Sequence, residues 1–453
     1  MRQEPLMLGQ EKALDVLQRV LALSDADRTE AILTGAETRL TRYANNYIHQ
    51  NVVERQLSIT IKTTIGQRTG IAVTGRTDEE GLREAVRRAV ETATVTPPDP
   101  DLPPLPQPRP VPTVDAFCAA TAGLSARERA ERAGAVIKKA QKLGLVASGS
   151  FSVATYELAV ANSEGVAAYH PQTRANLVAI VSGEDSSGYA SALSVRAEDI
   201  DVEAKAEVAI RKCLEGRNPR PLEPGVYEVV LEPEAVSDVI GSLALAFNGQ
   251  WVREGRSPFA NKLGQRVFAP VFHLWDDPLS SEGIPLPFDF EGVPKSRMEL
   301  VTAGVVAGFV YNTYTAAKEG RESTGHALPP QARTFGAFPA HLFMGTGDSG
   351  SSLDMAARMQ RGLLVTRFNY NRVVHPVKMV ITGLTRDGVW YVEDGKVRHP
   401  VSNLRYTQSI LEALNDIRGI GSQRELKSFF GLGSCCVPAL HLGSWSFTGD
   451  TRL

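Results

Sequence analysis

Residues 226–250 read VYEVVLEPEAVSDVIGSLALAFNGQ, a strand, a turn and then an apolar helix. No histidine lies between His170 and His273, so this helix offers no imidazole. It opens a region running from about 222 to the end that is rich in glycine and in short strand-like runs. GLLVTRFNY at 362–370 and HPVKMVITGLTRDGVWYVEDGKVRHPVSNLRY at 375–406 read as successive strands, with Arg-Asp-Gly and Glu-Asp-Gly as turns. Such runs commonly close into a barrel or a stacked sheet. SILEALNDIR at 409–418 reads as a short helix.

Upstream, residues 97–112 hold nine of the 27 prolines, in PPDPDLPPLPQPRPVP. Proline fixes φ and lacks an N–H, so this stretch should be an extended strap that cannot join a sheet interior. Before it, Leu57, Ile59 and Ile61 alternate with polar residues, and a turn at Gly66 leads to a second strand over Thr69–Thr74. Thr77 and Glu80 then form a capping box for a helix carrying Leu82, Val86, Ala89, Val90 and Ala93 on one face. After the strap, Ser125 and Glu128 form another capping box. Strands follow around Phe151–Ala161 and again after the turn NSEG at 162–165, and a helix near 202–214 closes the unit with Cys213 on its apolar face.

The expected fold class is α+β. Sheet-and-helix units at 20–96 and 114–217 are joined by the strap at 97–113, and a strand-rich, barrel-like domain covers 222–453. A chain of 453 residues is long enough for two or three cores. The net charge of −2 gives no electrostatic case for nucleic acid. No apolar run reaches the roughly 18 residues of a membrane helix, and the N-terminus lacks a signal-peptide core. Four cysteines with no framework spacing fit a reduced, cytoplasmic setting.

The phrases EGRSPFANKLGQRVFAPVFHLWDDP at 254–278 and NNYIHQNVVERQLSITIKTTIGQRTGIAVTGRTDEEGLREAVRRAVETA at 45–93 resemble the TldD/PmbA family, and the resemblance extends from about 40 to about 445. It implies the family's fold and a metallopeptidase context, in which a catalytic and a non-catalytic subunit pair around an enclosed peptide-cleaving chamber. Catalytic members carry His-Glu-x-x-x-His on the helix after the 226–231 strand, where it binds zinc. An approximate alignment puts Ser242, Leu243 and Phe247 at those three positions. Zinc needs three or four N, O or S donors in tetrahedral reach, which these side chains do not supply. The chain therefore resembles the TldE/PmbA-like subunit, with no cofactor of its own and zinc expected in a TldD-like catalytic partner. A heterodimer or higher assembly and a peptide substrate are implied, and a homodimer in isolation stays open.

The resemblance also places GLGSCCVPALHLG, at 431–443, where catalytic members have a zinc-completing cysteine, so Cys435 or Cys436 is the counterpart. Cys435 or Cys436 with His441 and His326 is the alternative donor set of an autonomous metallopeptidase with a relocated site. A third reading is a regulatory protein of the gyrase-modulator kind. Arg253, Glu254 and Arg256 follow directly on the rewritten helix, as candidates for the substrate channel or the subunit interface, against ordinary solvated ion pairs. In GRESTGHALPP, Glu322, Ser323 and His326 are candidates for hydrogen bonds to a peptide, against a histidine packed on backbone carbonyls. His273 with Asp276 and Asp277 has the composition of a metal triad, but a strand end followed by a turn explains it better.

Overall fold

The computed structural model describes residues 7–429 and 433–450. The first half contains α1 (Gly9–Ala22), β1 (Arg28–Ala44), β2 (Tyr47–Ile65), β3 (Arg68–Thr74), α2 (Glu79–Val95) and a single helical turn, α3 (Ala119–Ala122). It continues with α4 (Ala126–Gln141), β4 (Val146–Asn162), β5 (Ala167–Ser182), β6 (Ser187–Ser194) and α5 (Val202–Glu215). Six strands form one antiparallel sheet in the order β3-β2-β1-β4-β5-β6. The stretches read as two units are thus two halves of one sheet, each running three strands and then a helix outward from the β1–β4 seam.

Alternation assigns the faces. Ala31, Leu33, Ala159 and Ala161 pack with α1 and α2, while Phe151, Val153, Leu177 and Ala179 pack with α4 and α5. Residues of the opposite parity on the seam strands, Ile32, Leu158 and Val160, pack on Phe288 of the C-terminal half. The edge strands approach their helices at glycine. A Cβ at Gly70 would lie 1.9 Å from the Ala89 carbonyl oxygen of α2, and one at Gly188 would lie 2.0 Å from that of Ala209 of α5. Helix α4 starts with the expected Ser125–Glu128 capping box. Helix α2 differs: Asp78, not Thr77, is the N-cap, and its carboxylate accepts from the Gly81 N–H at 3.0 Å. An ionised carboxylate is the stronger acceptor for that orphan donor. Residues 97–118 hold no helix or strand, and Arg28 and Asn162 tie the strap down by donating to the carbonyls of Pro103 and Pro106.

The second half comprises β7 (Gly225–Leu231), α6 (Pro233–Ala244), α7 (Gly249–Arg253), β8 (Leu274–Asp276), β9 (Met298–Thr302), β10 (Val305–Val306), α8 (Thr313–Ala317) and β11 (His341–Met344). It ends with α9 (Ser352–Ala356), β12 (Arg361–His375), β13 (Val380–Glu393), β14 (Lys396–Pro400), β15 (Leu404–Ser409), α10 (Ile410–Asn415), β16 (Ile417–Phe429) and β17 (Gly433–Asp450). Because β7 pairs with both β12 and β17, the ring β17-β15-β13-β12-β7 closes on itself. Phe368, Tyr406 and Trp445 stack together, the Phe368 and Trp445 rings 5.1 Å apart and nearly parallel. Strands β11, β8, β9 and β10 extend the sheet as a wing beyond β17. Glu-Asp-Gly at 393–395 is the expected turn, but Arg-Asp-Gly at 386–388 is not. Asp387 and Gly388, at φ 56° and 131°, form a bulge inside β13 opposite Thr366.

Candidate functional site

Helix α6 follows β7 after a single residue, because Pro233 sits at its first turn, where a missing N–H costs nothing. Its apolar face, with Val236, Val239, Ile240 and Leu243, joins the barrel core. The three positions aligned with zinc ligands are absorbed by that packing. Ser242 is 1% exposed and its Oγ donates to the Asp238 carbonyl at 2.8 Å. Leu243 and Phe247 are fully buried, and the Phe247 ring lies 4.9 Å from that of Phe259.

Cys435 nonetheless reaches this helix. On β17 it pairs with Leu342 of β11 on one side and Lys427 of β16 on the other, and its Sγ is 4.0 Å from the Ser237 carbonyl of α6. Burial, then the nearby Asp238 carboxylate, raise its thiol well above the usual range. A hydroxyl bonded back to its own helix and two apolar side chains leave the Cys435 thiol short of the three or four donors that zinc needs.

The relocated donor set is not brought together either. Cys436 points to the other side of β17, where burial pushes its thiol up to about 11. His441 lies five residues further along the strand, roughly 16 Å away, with its Nε2 2.6 Å from Glu228. His326 belongs to another centre. Among the described residues, no three His, Cys, Asp or Glu side chains converge as metal ligands.

The opposite face of α6 carries charge. Glu234 and Asp238, four residues apart, share that face. Glu234 takes a salt bridge of 2.8 Å from Lys427 and a hydrogen bond from Ser191 of β6. Lys427 also pairs with Glu425, which accepts from Lys205 of α5. Burial, and then the Glu234 charge, raise Asp238 to about 7. This network joins the barrel domain to the six-stranded sheet, and the sequence reading missed it. Glu425 and Lys427 on one strand face, with Glu234 and Asp238 one helical turn apart, were its only trace.

The second buried centre is built around Asp276, at the end of β8. Its Oδ2 accepts from His326 Nε2 at 3.1 Å and its Oδ1 from the His341 backbone N–H at 2.7 Å. Burial alone would raise the Asp276 carboxyl, but the hydrogen bond and charge of His326, with His341 and Lys295 nearby, hold it below the carboxylate range. Burial, with Lys295 adding to it, pushes His341 down to about 3, so that imidazole is neutral. Asp289 stands close by, its Oδ1 accepting from Glu291 and Val293 and its Oδ2 from Ala327. Asp276 thus pairs with His326, 50 residues on, and not with His273, whose Nδ1 accepts from Ala303. His326 is buried on a carboxylate and on Thr324 Oγ1, and not on backbone carbonyls.

The remaining candidates lie at the surface. Glu254 accepts from Gln250 and Arg256, and Arg256 stacks on Trp251 at 4.6 Å. Arg253 and Glu254 border a solvent-facing pocket with Tyr314 and Lys318. Glu322 is exposed and pairs with Arg109 of the strap at 3.1 Å, while Ser323 Oγ donates to the Tyr311 carbonyl.

Residues 29–93, 116–216 and 224–449 match, in order, domain 1, the central domain and the C-terminal domain of the PmbA/TldA metallopeptidases. The Metalloprotease PmbA of Escherichia coli O157:H7 is 25% identical over 322 residues, covering 69% of this chain and 68% of that protein. The Metalloprotease PmbA homolog of Haemophilus influenzae is 24% identical over 403 residues, 84% of each chain. In fold, the crystal structure of TldE from Thermococcus kodakarensis superposes with a TM-score of 0.87 at 21% identity, covering 97% of this chain and all of that one.

Proposed function

Because this chain belongs to the PmbA/TldD metallopeptidase family, we propose that it is a TldE/PmbA-like, non-catalytic subunit. It would complete a peptide-cleaving assembly around a TldD-like partner in the cytoplasm. The observation that carries this reading is α6 and the turn that follows it, where Ser242, Leu243 and Phe247 are buried at the positions aligned with His-Glu-x-x-x-His. A side chain that fills the core on the family's ligand helix has been committed to packing and is no longer available to bind metal.

Zinc would then reside in the partner, supplying Lewis-acid activation of the scissile carbonyl. This chain's part is to wall the chamber and position peptide, with an extended substrate adding to sheet edges through main-chain hydrogen bonds. Arg253, Glu254 and Arg256, exposed at the end of α7 and on the turn after it, are the residues assigned to the channel or to the subunit contact. Among the described residues, no helix is long and apolar enough to cross a membrane.

The test is peptide hydrolysis by the purified chain, alone and after addition of a TldD-like subunit. Cleavage that requires the second subunit and is lost with a chelator is expected. Chelator-sensitive cleavage by this chain alone would overturn the reading.

A further inference from the structure

A cavity of about 340 Å³ lies where β4 and β5 of the six-stranded sheet meet the loops of the barrel domain. Leu286, Phe290, Leu328 and Phe338 give it apolar walls, and Lys295, Arg174, His341 and the Asp289 carboxylate also line it. Neither cation has a carboxylate partner among the described residues. Lys295 is 4% exposed, and the two carboxylates nearest it in charge, Asp276 and Asp289, are occupied. Asp276 holds His326 and the His341 N–H, and Asp289 holds three backbone N–H groups. Arg174 donates one hydrogen bond, to Ser428 Oγ at 2.7 Å, and a guanidinium has five donors. His341 adds a buried Nδ1 without a hydrogen bond.

A buried ammonium group without an acceptor is costly, and an anion held by it and by the unused donors of the half-buried Arg174 guanidinium would relieve that cost. Burial accordingly depresses both Lys295 and Arg174. The apolar walls indicate what should carry the anion, since a hydrated inorganic ion would gain nothing from Leu286, Phe290 and Phe338. Ligand pockets begin at roughly 300 Å³, so this volume holds one or two amino-acid residues. The interior of a peptide main chain brings no charge, whereas its free end does.

We propose that this cavity binds the C-terminal carboxylate of a peptide whose last side chain is apolar, with Arg174 and Lys295 as the carboxylate's donors. The proposal takes from the preceding section only that the chain handles peptides. It gives this subunit a role in substrate polarity: a peptide seated by its carboxyl end presents its bonds to the rest of the chamber in one direction.

The experiment is calorimetric binding to the full-length chain of three probes: a tetrapeptide acid ending in phenylalanine, the same peptide as its C-terminal amide, and 3-phenylpropionate. The acid should bind, and the amide should bind about tenfold more weakly or worse, as expected for losing a charge-assisted bond. Arg174→Gln and Lys295→Met should each weaken the acid by about tenfold while leaving the amide unchanged. Equal binding of acid and amide, or no binding of either by the folded wild type, would overturn the proposal without reference to any variant. Phenylpropionate binding as tightly as the peptide would also overturn it, in favour of a free apolar carboxylate. No partner subunit is present in these measurements, so a negative result leaves the subunit reading standing. Failure of partner assembly would in turn leave the binding result standing.

Discussion

Asp276 shows how a side chain that looks like a metal ligand in sequence becomes a structural acceptor. It is fully buried, takes His326 on one oxygen and the His341 backbone on the other, and lies on the short β8 strand of the wing. Removing one partner from a buried, hydrogen-bonded charge pair leaves the other stranded. Asp276→Ala should therefore cost about 3 kcal/mol or more, read as a lower urea midpoint. His170 makes a second prediction. It is 5% exposed with Nε2 against the Pro285 carbonyl, and burial lowers its pKa from 6.5 to about 4. In that interval the unfolded chain binds the proton and the folded chain does not. Its stabilising contribution is therefore complete above about pH 6.5 and is lost as the pH falls towards 4. Between about pH 7 and pH 5 the wild type should lose about 2 kcal/mol more stability than His170→Gln, as measured by urea unfolding at each pH. Sequence could not assemble this centre, because Asp276, Asp289, Lys295, His326 and His341 are scattered through loops that only the fold brings into one place.

At the scale of elements, α6 was legible and its neighbours were less so. Its apolar character and lack of histidine are plain in residues 233–244, and the structure adds where that character goes: into the barrel core. Writing the family motif back in should therefore fail. Ser242→His, Leu243→Glu and Phe247→His together should lower the melting temperature sharply, since Phe247 alone is a fully buried ring whose loss costs about 3 kcal/mol. Dialysis against zinc should leave no stoichiometric metal on the variant. The edge strands make an independent prediction. Gly70 and Gly188 occupy equivalent places in the two halves of the sheet, each against a helix backbone, and alanine at either would collide with a main-chain carbonyl. Each substitution should cost about 1–3 kcal/mol by thermal unfolding. The helix over 9–22 escaped the sequence reading because it precedes the region counted as the first unit. Its Ala13, Val16, Leu17 and Val20 stripe is clear only once β1 supplies the surface it covers. Arg-Asp-Gly at 386–388 was misread for a physical reason. The left-handed residues that make a turn also make a bulge, and here the bulge aims Asp387 at Arg367 and at Ser187 of the other half.

For the molecule as a whole, the strand–strand–helix order on each side of the strap was legible, but the seam strand β1 and the pairing were not. The β1–β4 seam joins residues more than a hundred positions apart, and barrel closure between β7 and β17 joins the two ends of the second half. Such pairings are set by which faces must be buried together, and a linear pattern does not encode them. The consequence for function is an α6 packed on both sides, by barrel core on one and by the Glu234–Lys427 network on the other. Under the proposed function, α6 serves as a structural beam and holds no metal, and chemistry and enclosure are divided between two chains. Native mass spectrometry of the complex purified from its own cells tests that directly. A one-to-one assembly with a second chain, carrying one zinc that stays with that second chain on dissociation, is the predicted result. A homodimer with metal on each copy would contradict it.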